Sequence, residues 1–374
     1  MHGKKALLWL GALVLVVSVV VALVGCSSGA TSTTGGSTSA ASSGGPKIAL
    51  LLPETKTARY ETQDKPLFEA KVKALAPDAE ILYSNANQDA TEQQSQADAA
   101  LTNGAKVLVL DPVDSASAAS IVTKAAAAKV PVISYDRLIL NAPVDYYVSF
   151  DNEKVGSLQG QALLDKLTKD GTAGKTIAMI NGSPTDNNAT LFKKGAHSVL
   201  DGKVTIGAEY DTPDWSPDKA QTEMDQAITK LGKAGFVGVY CANDGTAGGA
   251  IAAMKGAGID PKPRPTTGQD AELAGIQRIL LGEQYMTVYK AIKLEAEAAA
   301  ELAVSLAKGQ GAPSTLTMSK VNNTNKDVDS VLLAPVAVTK ENIKDTVVAD
   351  GFWKTSEILN TPELKTAGAA VGLQ

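Results

Sequence analysis

From Lys47 onward the chain alternates short β-branched runs with Ala-rich helical stretches, and this alternation constrains the fold more than any other feature. Residues 48–52 read as a strand and 64–75 as a helix. Strands at 79–83 and 106–110 are each followed by a helix, at 90–103 and 115–128, and two further strands fall at 130–134 and 146–149. Strand then helix, repeated, is the signature of βαβ units around a parallel sheet. The strands show no clean polar alternation, as expected where helices cover both faces. The pattern then begins again: helix 153–168, strand 176–180, helix 187–200, strand 204–210, helix 217–232, strand 236–240 and helix 246–256. A short strand at 266–267, a helix at 271–281, a strand at 285–288 and a long helix at 291–308 complete it. An α/β fold of two doubly wound parallel-sheet lobes is therefore predicted. The long helix and the tail, 331–338 and 342–350, need not belong to the half they follow.

The first residues read as a targeting segment. Lys4 and Lys5 precede an almost uninterrupted apolar run, 6–24, which ends in Leu23-Val24-Gly25-Cys26. A small residue before a Cys after an apolar core resembles a bacterial lipobox, predicting a signal peptide over 1–25 and acylation of Cys26. The alternative is a plain membrane anchor, because the run is nearly long enough to span a bilayer; either places the rest outside the cytoplasm. Residues 27–46 are Ser, Thr, Gly and Ala closed by Pro46, a composition that buries nothing, so 26–46 reads as a tether that begins at Cys26. With Cys26 lipidated, Cys241 stands alone in an apolar run and is expected to be a buried, inert thiol. The chain's 374 residues hold two His, too few for a His-based metal site or triad, and no cofactor is expected. A formal net charge of -5 offers no basic excess to neutralise phosphates, which argues against a nucleic-acid partner.

In open parallel sheets, ligands bind beyond the carboxyl ends of the strands. Here those ends carry one chemistry repeatedly: Arg59-Tyr60, Tyr135-Asp136-Arg137, Asp186-Asn187-Asn188, Asp214-Trp215-Ser216-Pro217, Asn243-Asp244, Gln269-Asp270 and Tyr289-Lys290. Carboxylates and amides hydrogen-bond hydroxyls, Arg and Lys donate to sugar oxygens, and aromatic rings cover an apolar sugar face. Singly, each has a plainer explanation. Asn243 and the Asn187-Asn188 pair could be helix caps, Asp136-Arg137 a surface ion pair, and Trp215 a core residue. Seven strand ends of like composition in two halves outweigh those explanations.

Several blocks carry a family resemblance. Tyr135-Asp136-Arg137, Ser149-Phe150-Asp151-Asn152-Glu153-Lys154-Val155-Gly156, Gly182-Ser183-Pro184-Thr185-Asp186-Asn187-Asn188-Ala189, Asn243-Asp244-Gly245-Thr246-Ala247-Gly248-Gly249-Ala250, Gly268-Gln269-Asp270-Ala271-Glu272, Met286-Thr287-Val288-Tyr289-Lys290 and Ile343-Lys344-Asp345-Thr346-Val347 resemble the ribose/galactose-type periplasmic sugar-binding proteins of ABC importers, in particular their xylose-binding branch. The similarity runs from about residue 47 to 353. It implies two lobes joined by a three-crossing hinge: 47–150 with about 291–325, and 151–290 with about 326–374. It implies a sugar-binding set of Arg59, Tyr60, Asp136 and Arg137 from the first lobe. Asp186, Asn188, Trp215, Asn243, Asp270 and Lys290 come from the second lobe or the hinge. Asp151 and Asn152 are expected to begin a hinge and helix rather than touch sugar. The family usually has Arg-Trp after the first strand; this chain has Arg59-Tyr60, one residue out of register.

Together with the lipobox-like motif at Cys26, the resemblance implies a lipid-anchored receptor on the outer face of the cell membrane. It would act as a monomer, take an aldose such as D-xylose and hand it to a membrane permease. A chemosensory receptor on the same fold is the alternative. A glycosidase could use Asp136, Asp186 or Asp270 as a pair, but the neighbouring Arg, Lys and Asn residues should lower those carboxyl pKa values and unfit them as acids. A sugar-responsive repressor would carry a helix-turn-helix where this chain has an apolar segment and tether.

Overall fold

The computed structural model describes residues 44–374. The expected signal segment, Cys26 and nearly all of the tether lie outside the described residues.

In the first lobe, β1 (Lys47–Leu52), α1 (Lys65–Leu75), β2 (Glu80–Asn85), α2 (Ala90–Thr102), β3 (Val107–Leu110), α3 (Ala119–Ala127), β4 (Val132–Tyr135) and β5 (Tyr146–Phe150) follow the predicted alternation. The chain then crosses to α4 (Asn152–Lys169), which Asp151 caps by accepting the Lys154 N–H at 3.0 Å. The second lobe continues with β6 (Thr176–Asn181), α5 (Asn187–Leu200), β7 (Thr205–Asp211), α6 (Pro217–Leu231), β8 (Val239–Cys241), α7 (Asp244–Gly256), α8 (Leu273–Leu281) and β9 (Met286–Tyr289). A second crossing leads to α9 (Ile292–Ala307), β10 (Ser319–Asn322) and β11 (Asp327–Leu333). A third leads to β12 (Val336–Thr339), α10 (Thr355–Ile358) and α11 (Pro362–Ala369).

The first sheet has the order β10-β11-β5-β4-β3-β1-β2, parallel except for the β10–β11 edge pair. In the second lobe β7-β6-β8 are parallel, and β9 pairs antiparallel with β12. The predicted strand at 266–267 is reduced to single bridges, Val239 to Thr266 and Gln269 to Val288, which stitch the two ribbons together. Side chains on both faces of the first sheet are buried: Leu50 and Val109 in one apolar cluster, Ala49 and Leu108 in the other. That explains strands apolar at every position rather than every second one.

The last expected boundary is corrected. Residues from about 326 were assigned to the second lobe, but β11 pairs with β5 of the first sheet, so the third crossing lies between Leu333 and Val336. Pro335 sits there and supplies no N–H to a ladder. It divides one apolar run, 331–338, into two strands in different lobes. The long helix α9 belongs to the first lobe, where Ala296, Ala299 and Leu302 share a core with Ile48 and Val109. Cys241 is a buried free thiol whose pKa burial pushes up, as expected of an inert one.

Helices α4 and α5 cross closely. A Cβ placed on Gly156 would lie 1.9 Å from the Phe192 carbonyl oxygen, so only glycine permits this approach. Gly156→Ala should therefore force the helices apart and lower stability by about 1–3 kcal/mol. Urea denaturation reads this as a lower midpoint with an unchanged slope.

Candidate functional site

A small cavity lies between the lobes beyond the strand ends. All ten residues predicted for the site line it, together with Thr57, Phe192 and Gln269. Two of these three were within reach of sequence reasoning. Gln269 adjoins Asp270, and Phe192 lies four residues after Asn188 on one helix face.

The chain after β1 makes a π-helical turn, Tyr60–Asp64, before α1 begins. That turn sets Arg59 against Asp64, five residues on. Arg59 Nε and Nη2 donate to Asp64 Oδ2 and Oδ1 at 3.0 and 2.8 Å. Tyr135 donates its hydroxyl to Asp64 at 2.6 Å, and Glu295 of α9 accepts from Arg59 Nη2 at 3.2 Å. Arg59 is thus held from behind by two carboxylates while Nη1 approaches Asp136 at 3.6 Å and Asp270 at 3.9 Å. Tyr60 donates its hydroxyl to Asp136 Oδ2 at 2.9 Å and accepts from Arg137 Nη2 at 3.3 Å. Its ring lies within cation–π range of both guanidiniums, 5.0 Å from Arg59 and 5.8 Å from Arg137.

Opposite charges alternate across the cavity. Lys290 Nζ, at the second crossing, is 3.2 Å from Asp136 and 3.8 Å from Asp270. Arg137 Nε is 3.0 Å from Asp186 Oδ2 of the other lobe, an ion pair without hydrogen-bond alignment at that nitrogen. Asp186 also caps α5 through the Asn188 N–H at 2.8 Å and accepts from Trp215 Nε1 at 3.0 Å. Asn188 in turn donates to the Asp136 carbonyl at 3.0 Å and accepts from Asn152 at 2.9 Å. Asn243 serves as a cap as well, its Oδ1 accepting the Thr246 N–H at 2.8 Å, which leaves its Nδ2 as the group free to face the cavity. Asp136-Arg137 is no surface pair, since both side chains are buried.

Three site residues hold left-handed backbone: Asp136 at φ +53°, Trp215 at +53° and Asp270 at +91°. Aspartate tolerates this region, whereas a bulky aromatic occupies it only where the surroundings over-determine it. Trp215 packs edge-on against Phe192, with ring centroids 6.3 Å apart, so it belongs to the second lobe's core as well as to the cavity wall.

The electrostatics divide the carboxylates. Burial disfavours the Asp136 charge, but Arg59, Lys290 and Arg137 outweigh it and hold the carboxyl well below its usual range. Asp186 departs from the sequence expectation: burial outweighs Arg137 and raises its pKa. Behind Arg137, burial pushes Asp111 up strongly against the guanidinium, whose Nε is 3.6 Å away. Sequence reasoning missed Asp64, Asp111 and Glu295. Asp111 and Glu295 carry no local signal, because their partners Arg137 and Arg59 lie on other segments of the chain, and the pairing of Asp64 with Arg59 depends on the π-helical turn between them.

A family model for the periplasmic binding protein domain matches residues 48–311. The chain is 39% identical over 317 residues to the D-xylose-binding periplasmic protein of Escherichia coli, covering 83% of this chain and 92% of that protein. It is 32% identical over 328 residues to the multiple sugar-binding periplasmic receptor ChvE of Rhizobium radiobacter, with coverage of 83% and 92%. Among solved structures, an ABC transporter solute binding protein from Clostridium phytofermentans with bound β-D-glucose superposes with a TM-score of 0.77. It is 29% identical and covers 83% of this chain and 99% of that one.

Removing the central anion should be costly. Asp136→Asn leaves Arg59 and Lys290 short of a buried counter-charge, a loss of roughly 3–5 kcal/mol near neutral pH. The native pKa of Asp136 is lowered, so its stabilisation is full above the ordinary carboxyl range and is lost as pH falls through about 4 and below. The stability gap between wild type and variant, read by urea denaturation, should therefore narrow as the pH is taken from 6 towards 3.

Proposed function

The chain belongs to the periplasmic binding protein family, and from that premise we propose that it is the extracytoplasmic substrate-binding component of a sugar importer, closing its two lobes on one monosaccharide. The observation that carries this reading is the mixture of unmet hydrogen-bonding groups on the cavity wall. Arg137 Nε is a buried donor without an aligned acceptor, and Gln269 Oε1 is a buried acceptor without a donor. A hydroxyl both donates and accepts, so a ring bearing several of them satisfies both kinds at once. Three cations, three carboxylates and the amides of Asn188, Asn243 and Gln269 supply such groups from both lobes. Trp215 and Phe192 offer an apolar surface for a ring face.

The sugar is D-xylose or a close aldose, a reading supported by the 39% identity to a D-xylose-binding relative. The protein is a receptor and not an enzyme. Asp136 is held ionised and has no proton to give, and Asp186 is occupied by Trp215, Arg137 and its helix cap. Contacts from both lobes stabilise the closed form over the open one, and the closed form is what a membrane permease would receive. Acylated Cys26 would hold the receptor at the outer face of the membrane.

Calorimetry of the purified protein against D-xylose, D-ribose, L-arabinose and D-glucose tests the reading. D-xylose should bind most tightly, and a micromolar complex needs about 8 kcal/mol. With hydrogen bonds to charged groups contributing about 1.5–3 kcal/mol each, Arg137→Ala should weaken binding tenfold or more. Trp215→Ala should do the same and also lower the melting temperature of the free protein, given its packing on Phe192. Failure of every aldose to bind, or release of altered sugar, would falsify the receptor reading. The anchor has its own test: Cys26→Ser should move the protein from the membrane fraction to the soluble one, and unchanged retention would point to a membrane-spanning anchor instead.

A further inference from the structure

Asp244 follows the cavity-lining Asn243 at the start of α7, yet its side chain is fully buried and does not line the cavity. Three donors converge on its carboxylate. Oδ2 accepts from the Glu272 backbone N–H at 2.9 Å and from the Thr287 hydroxyl at 3.0 Å, and Oδ1 accepts from Gln284 Nε2 at 2.6 Å. The Asp244 N–H donates to the Gln269 carbonyl at 2.9 Å, and Thr287 Oγ1 accepts from the Ala271 N–H at 3.2 Å. Asp244 thereby grips the chain on both sides of Asp270: at Gln269, at Glu272 and, through Thr287, at Ala271.

That stretch needs a grip. Asp270 and Ala271 are consecutive non-glycine residues at φ +91° and +48°, a conformation that persists only where the surroundings impose it. The neighbouring sequence is shaped around the carboxylate. A Cβ on Gly268 would lie 2.0 Å from Asp244 Oδ1, and one on Gly275 would lie 2.3 Å from Oδ2. The Trp353 indole N–H, donating to the Ala271 carbonyl at 2.7 Å, closes the turn from the other side.

We propose that Asp244 is a positioning residue that fixes the left-handed Asp270–Ala271 turn, aims the Asp270 carboxylate into the cavity and so sets the affinity of the sugar there without touching it. The proposal rests on the reading of the cavity as a sugar site. Burial lifts the Asp244 pKa to about 7 against the pull of Arg278 from α8 and of Gln284, with Asp270 adding to the rise. Burial and Asp244 lift Glu272 to about 8, and Cys241 of β8 faces the same group as a buried thiol. Above neutrality the ionised carboxylate accepts all three donors. Protonation turns one acceptor oxygen into a donor and expels a partner, so the turn loosens as the pH falls through about 7.

The test compares wild type with D244N, T287V and T287S. D-xylose affinity is measured by calorimetry from pH 8.5 to 5.5, and amide hydrogen exchange at Ala271 and Glu272 is measured in the free proteins. Wild-type affinity should fall as the pH drops through about 7. D244N should bind tenfold or more weakly at pH 8 with a flattened profile, and its Ala271 and Glu272 amides should exchange faster. T287V should weaken binding in the same sense, and T287S should restore it by keeping the hydroxyl. Wild-type affinity and pH profile in D244N, or unchanged exchange at both amides, would overturn the proposal; a purely structural role would lower the melting temperature and leave the pH profile alone. If D244N does not fold, the T287V and T287S pair decides by the same readouts. A wild type that binds no aldose overturns the sugar reading, and the exchange measurement still decides the role of Asp244.

Discussion

The carboxylate of Asp136, enclosed by Arg59, Lys290 and the Tyr60 hydroxyl, is the interaction on which the arrangement of both lobes turns. A bare charge at that depth would cost several kcal/mol, so it must be met by opposite charge and hydrogen bonds. The partners arrive from far apart in the chain: Arg59 and Tyr60 after β1, Asp136 after β4, and Lys290 at the second crossing. Only a topology that gathers strand ends at one edge of each sheet, and places a crossing beside them, brings these groups within reach. Glu295 and Asp64 extend the constraint backward, since Arg59 is shared between the cavity and a buried carboxylate pair behind it.

Such a cluster is a poor way to stabilise a protein. Replacing buried ion pairs by apolar residues of like volume is often neutral or favourable. Its value lies in leaving the cavity with directional groups already desolvated and aimed. Arg59 cannot turn away from the cavity without abandoning its fork on Asp64, and Arg137 is flanked by Asp186, Asp111 and the Tyr60 hydroxyl. Preorganisation of this kind reduces what a ligand must spend on ordering its partners.

The fold and the cavity wall were largely legible in the sequence, and the physical reason is local. Strand ends reveal themselves by the switch from β-branched runs to Asp, Asn, Arg and aromatic residues, so Asp136, Asp186, Asn243 and Asp270 stand out in the sequence alone. The dual use of Asp186 and Asn243 was only half legible. Each is a helix cap, and each also lines the cavity, because a cap occupies one polar atom of the side chain and leaves the other. What lies behind the wall was not legible. Glu295 looks like any acidic residue on an Ala-rich helix, and its burial follows from α9 packing on the first lobe after the chain has left the second. The third crossing was misplaced for a related reason: an unbroken apolar run such as 331–338 reads as one strand, and only the pairing of β11 with β5 shows that Pro335 divides it.

Each lobe has its own core. Clusters around Ile48 and Leu108 fill the first, clusters around Met224 and Phe192 fill the second, and a further cluster with Phe150, Tyr289 and Ile292 gathers at the crossings. Contacts such as the Asn187 N–H donating to Ser115 Oγ at 3.1 Å and the Ser115 N–H donating to the Thr185 carbonyl at 3.0 Å join the lobes directly. In the closing motion proposed above, opposing terms meet. These bonds and the Arg137–Asp186 pair favour the closed form, and the desolvation of three cations and three carboxylates opposes it. A ligand shifts that balance only by the free energy with which it prefers the closed form. Hydroxyls that replace the water lost by those charges supply such a preference, whereas a ligand meeting one lobe alone would bind without closing the molecule.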